Sequence, residues 1–286
     1  LSRGHMRAKR TILLVTLVVG VTLTGMGFSP GSARAYHTYK ERLLDTTAYS
    51  LYRRELRLGL MNLSYGILDQ LQVTTYTMPW LLGLIFEDVA PNLELKSTFY
   101  DRKKLALSVS AGFLTGTILQ PDSTKIRYFL VPVSLASSVR INSDFSTHLG
   151  ARYTAVDGDA ETQPEGTAIE GALVVDFLQL WAMAEWRLSR VVAFTFTLRW
   201  VPYVSNLVLN ATVDAGNPTI GAELQGDLSE LRNSFAVIPG FVFSWNRANI
   251  RLGVGYSDFF VEGFYLVVPG DVLSNVSIEF DVFVRF

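Results

Sequence analysis

Ser146 and His148 stand two residues apart in the run FSTHLGARY, and two residues is the repeat of a β-strand, so on a strand both side chains share one face. A serine hydroxyl beside an imidazole is the raw material of nucleophilic catalysis. Here the order is Ser-x-His, and the surrounding alternation sets both residues on the polar face, whereas a hydrolase acting on lipid acyl bonds has to present them to the lipid. A structural histidine is therefore the expectation, with a lipid hydrolase as the minor alternative and no enzyme expected. The other histidines, His5 and His37, lie near the N-terminus and leave no set of zinc ligands. Asp157, Asp159 and Glu161 in VDGDAETQPEG gather carboxylates without the glycine and terminal glutamate spacing of a calcium loop, and they read as an ordinary acidic loop. No glycine-rich cradle precedes a helix, so no nucleotide is indicated, and no cofactor is expected.

A larger set of charges carries more information. Glu94, Lys96, Arg140, Arg152, Glu185, Arg187, Arg199, Arg251, Glu279, Asp281 and Arg285, with His148, all fall on the polar positions of alternating segments. Charges of both signs on one face of a closed sheet have two uses. They pair and fill the interior, or they line a water-filled path.

The elements that must position them are strands of period two. Val276, Ile278, Phe280, Val282, Val284 and Phe286 alternate with Ser277, Glu279, Asp281, Phe283 and Arg285. Val192, Phe194, Phe196, Leu198 and Trp200 oppose Ala193, Thr195, Thr197 and Arg199, and similar segments recur upstream. One face is wholly apolar and the other is rich in Gly, Ser and Thr, a pattern that suits strands with lipid on one side and a polar lumen on the other. In 178–188, Trp181 and Met183 interrupt the polar face.

Strands are expected near 276–286, 248–257, 235–245, 191–203, 178–188, 144–154, 129–141, 105–114, 92–100, 71–79 and 56–65. Their connections alternate short and long, as in bacterial barrels that keep short turns on the periplasmic side, which places the C-terminus there. Eleven strands need a twelfth to be even, and 45–52 (DTTAYSLY) is the candidate. The expectation is an all-β, closed antiparallel up-and-down transmembrane barrel of about twelve strands, with ten as the alternative and 204–234 as a possible plug.

Composition agrees with an exported chain. There is no Cys, mean hydropathy is +0.26, and five basic residues with no acids fall in the first 35 positions, leaving 20 basic against 26 acidic residues in the remainder. That balance excludes an electrostatic footprint for nucleic acid. MRAKR, the apolar run from Thr11 to Phe28 and SPGSARA have the order of a secretory signal, with cleavage expected after Ala35 and residues 36–286 as the barrel domain.

Two stretches go beyond periodicity. The terminal FDVFVRF, with Phe280, Val282, Val284 and Phe286 alternating to the end, resembles the signal that the outer-membrane assembly machinery recognises in barrel proteins. The region 47–100, with Tyr65, Gly66, Asp69 and Leu71, resembles the N-terminal part of a poorly characterised group of bacterial outer-membrane barrels in which a Tyr-Gly turn precedes Asp and a Leu-rich strand. The resemblance implies a Gram-negative outer membrane and, as partners, its lipids, the barrel assembly machinery and periplasmic chaperones; it supplies no catalytic residues. On function, the leading expectation is a narrow channel or small-solute transport barrel, and the rival is a closed barrel that serves as a scaffold or displays its loops.

Overall fold

The structure is a computed structural model that describes residues 47–286 apart from 78, 81–89, 103, 120–124, 163–167, 206, 215–218, 227–231, 246, 258, 261–267 and 270–275. Residues 1–35, expected to be a secretory signal, and residues 36–46 lie outside the described residues. In chain order the strands are β1 Leu56–Gly59, β2 Asn62–Leu68, β3 Leu71–Tyr76, β4 Asn92–Arg102, β5 Leu105–Leu119 and β6 Lys125–Arg140. β7 Phe145–Thr162, β8 Ala168–Arg187, β9 Val192–Val204, β10 Leu207–Asp214 and β11 Thr219–Gly226 follow. The last are β12 Phe235–Trp245, β13 Ala248–Ser257, the short pair β14 Phe259–Phe260 and β15 Val268–Pro269, and β16 Val276–Arg285.

Twelve of these close a ring of antiparallel neighbours, β1 through β9 and then β12, β13 and β16, with β16 pairing back onto β1. Closing the ring pairs the first wall strand with the last, so each of the twelve strands has a neighbour on both sides for at least part of its length. The count of twelve agrees with the sequence, but its first member differs. Residues 56–65 do not form one strand: the chain reverses at Leu60 and Met61, and 56–59 and 62–68 are separate wall strands. The segment 45–52 is not a wall strand; its described residues, 47–52, run without strand pairing across the inside. The turn at 60–61 escapes sequence reading because its two central residues, Leu60 and Met61, are not turn formers and continue the apolar run, although Gly59 and Asn62 flank it.

Outward positions carry the exposed apolar surface. Leu135, Leu149, Leu198, Leu252, Val254 and Ile278 are all exposed, and aromatic residues gather at two levels. Trp186, Trp245, Tyr100 and Phe286 stand beside the short turns, whereas Phe129, Tyr153, Tyr203, Phe235 and Tyr256 stand near the other limit of the belt. From Val139 to Phe129 along β6, at about 3.3 Å per residue and a tilt of about 40°, the belt is roughly 25 Å tall, the height of a transmembrane barrel's apolar band. One step beyond Phe129 the outward face turns polar. Arg127 and Asp159, neighbours in register on β6 and β7, form an exposed ion pair at 3.3 Å.

This inversion explains why 155–177 and 115–128 read as loops. Strands β5 to β8 continue past the belt, and on β6 and β7 the exposed positions there are Arg127, Asp157 and Asp159, so the apolar-out pattern that defines a strand in the sequence is lost. The segment 204–234, a possible plug by sequence, carries the hairpin β10–β11 instead, and β10 pairs edge-on with β8 from Ala168 to Val174.

Candidate functional site: the filled lumen

Inward positions build three layers of different chemistry. The first, at the short-turn end, is a floor made by residues 47–52. Thr47, Ala48, Ser50 and Leu51 are buried, and the segment is held by side chains of the wall rather than by a backbone ladder. The Ala48 amide donates to Ser138 Oγ at 2.8 Å, Thr98 Oγ1 donates to the Ala48 carbonyl at 2.8 Å, and the Leu51 amide donates to Gln72 Oε1 at 2.9 Å. Ser50 shares a hydrogen bond with Thr98 at 2.7 Å, and Lys96 Nζ donates to the Thr47 carbonyl.

The floor enters from a tight turn at 52–55. Arg54 takes φ 66°, and its amide donates to the Gly66 carbonyl at 2.7 Å; the Gly66 amide donates to Glu55 at 2.9 Å. A Cβ on Gly66 would lie 1.9 Å from the Tyr52 carbonyl oxygen, so only glycine lets the two backbones approach. Asp69 Oδ1 accepts the Arg53 amide at 3.0 Å. Tyr65 and Gly66 therefore lie within β2, next to a bulge, and the chain reverses after Asp69. Gly66 and Asp69 together fix the place where the floor segment leaves the wall.

Above the floor is a layer of paired charges. Arg57 donates to Asp281 at 2.7 Å, and Arg57 also covers the Phe283 ring at 3.9 Å. Glu279 accepts from Arg199 at 2.7 Å with one oxygen and from Arg251 with the other. Arg285 pairs with Glu55, Tyr76 Oη donates to Glu94 at 2.8 Å, and Arg152 donates to Ser134 Oγ at 2.9 Å while its guanidinium lies 5.7 Å from the Trp181 ring. Trp181 lies flat over its register partner Gly150, where any Cβ would meet the indole at 2.0 Å. The large residues that interrupt the polar face of β8, Trp181 and Met183, are thus buried lumen fillers.

His148 is buried at the junction of floor and charge layer. Its Nδ1 is 2.7 Å from Ser138 Oγ, and its Nε2 is 3.3 Å from Ser146 Oγ and 3.5 Å from Glu185 Oε2. A hydroxyl, an imidazole and a carboxylate are therefore in sequence, but the hydroxyl at hydrogen-bond distance on Nδ1 is that of Ser138, ten positions from His148. That hydroxyl accepts the Ala48 amide and has no solvent exposure, so the chain of groups ties the floor to β6, β7 and β8. Ser138 and Glu185 join His148 only through register, which places Ser138 opposite His148 and Met183 on its other side.

The third layer is apolar. Leu114, Leu130, Val156, Phe177, Val201, Ala236 and Ile238 form one buried cluster on the inner wall of β5 to β9 and β12, nearer the long-loop end than the charges on the same strands.

Of the charges expected in the lumen, Glu94, Lys96, Glu185, Arg199, Arg251, Glu279, Asp281 and Arg285 are buried there, as is His148, and Arg152 is half-buried on the same face. Arg140 and Arg187 hold the inward register but stand at the short-turn rim: Arg140 donates to the Asn142 and Ser143 carbonyls, and Arg187 approaches Asp144 at 3.9 Å. They clamp turns rather than line the interior, because each is the last residue of its strand. At the C-terminus Phe280 and Phe286 are exposed outward, Val282 is half-buried and Val284 is buried. Arg57, Glu55 and Gln72 were not singled out by sequence, and the interruption of alternation at 60–61 hid the strand that carries Arg57.

No family model matches the chain, and no curated protein matches it. Among solved structures it is similar to CdiB from Acinetobacter baumannii, with a TM-score of 0.33 and 8% identity over 82% of this chain and 60% of that one. It is also similar to CdiB from Escherichia coli, with a TM-score of 0.29 and 10% identity over 81% of this chain and 62% of that one. The chain thus spans less than two thirds of either structure's length.

Proposed function

We propose that this chain is an outer-membrane barrel of a Gram-negative bacterium, a narrow transport barrel for small solutes whose periplasmic mouth is closed at rest by its own residues 47–52. The observation that carries this reading is how the floor is held. A wall strand is fixed by a continuous backbone ladder, whereas the floor hangs on individual side chains, Ser138, Thr98, Gln72 and Lys96, and hydrogen bonds of that kind exchange for water at a net cost of about 1 kcal/mol each. Its withdrawal uncovers a layer of charges of both signs, the lining a hydrated path needs, beneath an apolar layer that gates by dewetting. The aromatic levels and the polarity inversion at Arg127 and Asp159 support the membrane placement.

A permanently closed scaffold is the second reading, favoured by the two arginines locked on Glu279. Planar-bilayer recording separates the two. The intact barrel is expected to be silent with brief openings, and a chain lacking residues 47–52 is expected to conduct steadily. A deletion variant that folds, as shown by heat-modifiable gel migration, and stays silent would leave the scaffold.

A further inference from the structure

The wall is not equally strong around its circuit. β7 and β8 pair at eighteen register positions and β6 and β7 at sixteen, but β1 and β16 pair at three, Arg57 with Arg285, Leu58 with Val284 and Gly59 with Phe283. β1 and β2 also pair at three and β3 and β4 at four, but the β1–β2 turn or the segment 77–91 joins those strands in sequence. Flanking backbone bonds extend this seam only to Phe286 at one end and to Val282, bonded by the Leu60 amide, at the other. β1 itself is four residues long and turns back at Leu60, so above Val282 no described strand lies against β16 on that side.

What the short ladder lacks, side chains supply. Asp281 on β16 accepts from Arg57 on β1 with one oxygen at 2.7 Å and from the Met61 amide in the β1–β2 turn with the other at 3.3 Å. Arg285 on β16 reaches Glu55, the residue that precedes β1, and Arg57 lies on the ring of Phe283. These latches sit on the lumen face, where charge is tolerated, and all cross the same seam.

We propose that β1 and β16 part as a lateral port that joins the lumen to the bilayer core, latched by Asp281 and Glu55. Opening there breaks few backbone bonds and parts the first and last strands of the circuit, which no turn joins, and both latches release together because they bridge the same two strands. The proposal rests on the membrane reading above and is distinct from the floor, which closes the barrel along its axis.

The test uses the full chain in lipid bilayers, and it is clean because the sequence has no Cys. A single cysteine at Ser64, buried on β2 behind the seam, is exposed to a bilayer-dissolved apolar maleimide and, separately, to a water-soluble one. The apolar reagent is expected to react, and a disulfide staple across the register pair, Leu58→Cys with Val284→Cys, is expected to slow it at least tenfold. Leu149→Cys, outward on β7, reports membrane placement independently of the port. Equal reaction with and without the staple, while Leu149→Cys labels normally, overturns the port. Failure of Leu149→Cys to label from the bilayer overturns the membrane reading and the port with it. Hydrogen exchange of the unaltered chain is the second measurement: residues 56–60 and 282–286 are expected to exchange about a hundredfold faster than the belt portions of β7 and β8. Equal protection overturns the proposal.

Discussion

Arg57 on the first wall strand donates to Asp281 on the last at 2.7 Å, and both side chains are nearly excluded from solvent. The two residues are far apart in sequence, and their pairing closes the barrel where its first and last strands share a ladder of three register pairs. A buried pair of this kind is strongly coupled, because removing one partner leaves the other charged and desolvated. Asp281→Asn is therefore expected to lower barrel stability by about 3–5 kcal/mol, and Arg57→Met with Asp281→Leu together by less. Urea titration of heat-modifiable gel migration measures both. Equal loss in the single and double variants would mean that packing against Phe283, and not charge pairing, holds the seam.

Glu279 serves two arginines, so its loss is expected to cost more than the loss of either. Glu279→Gln removes the carboxylate that Arg199 and Arg251 share, whereas Arg199→Gln leaves Glu279 its bond from Arg251. The same titration is expected to rank Glu279→Gln below Arg199→Gln and Arg251→Gln. An identical midpoint for all three would show that the layer is solvated well enough to tolerate unpaired charge.

In the apolar layer, Leu130 is wholly buried against Leu114 and Val156. Leu130→Ala is expected to destabilise the barrel by about 2–5 kcal/mol through the cavity it leaves. A cost under about 1 kcal/mol would mean that water already reaches this layer.

Orientation follows from the turns. A cysteine at Asp159, on the strand extension beyond the belt, is expected to label from outside intact cells, whereas cysteines at Asn142 and Ser189 in the short turns are not. Reversed labelling would place the floor at the outer mouth.

Phe286 contributes to the seam through both backbone groups, with its amide donating to Leu56 at 2.9 Å and its carbonyl accepting from Leu56 at 3.1 Å. Deleting Phe286 is expected to leave the chain in the periplasm, through loss of these two bonds and of the last residue of the segment that resembles an assembly signal. Normal outer-membrane yield on fractionation would remove the assembly role.

Alternation made the ring legible where each strand has one face on the belt and one in the lumen, as in β9 and β16, because burial there is decided residue by residue. It failed where that premise fails. The extensions of β6 and β7 stand outside the belt and lose the apolar-out signal at Arg127, Asp157 and Asp159; the reversal at Leu60 and Met61 puts two apolar residues at its centre, with Gly59 and Asn62 only at its flanks. Residues 47–52 belong to the candidate twelfth strand but lie inside the barrel, held by polar wall side chains. The site was legible as a list of inward charges and not as pairs, since partners such as Arg57 and Asp281, or His148 and Ser138, are set by register and closure. Gly66 and Asp69 were visible as a motif, and their work in anchoring the floor emerges only once Tyr52 and Arg53 are seen against them.

The central claim is that residues 47–52 form a movable floor, and a reversible tether tests it most directly. Ala48 and Ser138 are in hydrogen-bond contact at 2.8 Å, so Ala48→Cys with Ser138→Cys places two thiols across the floor–wall junction. Single-barrel recording is expected to show silence while the disulfide is intact and brief openings after a reductant is added to the periplasmic side, matching the frequency seen in the unaltered chain. Identical traces before and after reduction, with the disulfide verified by mass spectrometry, would contradict the account.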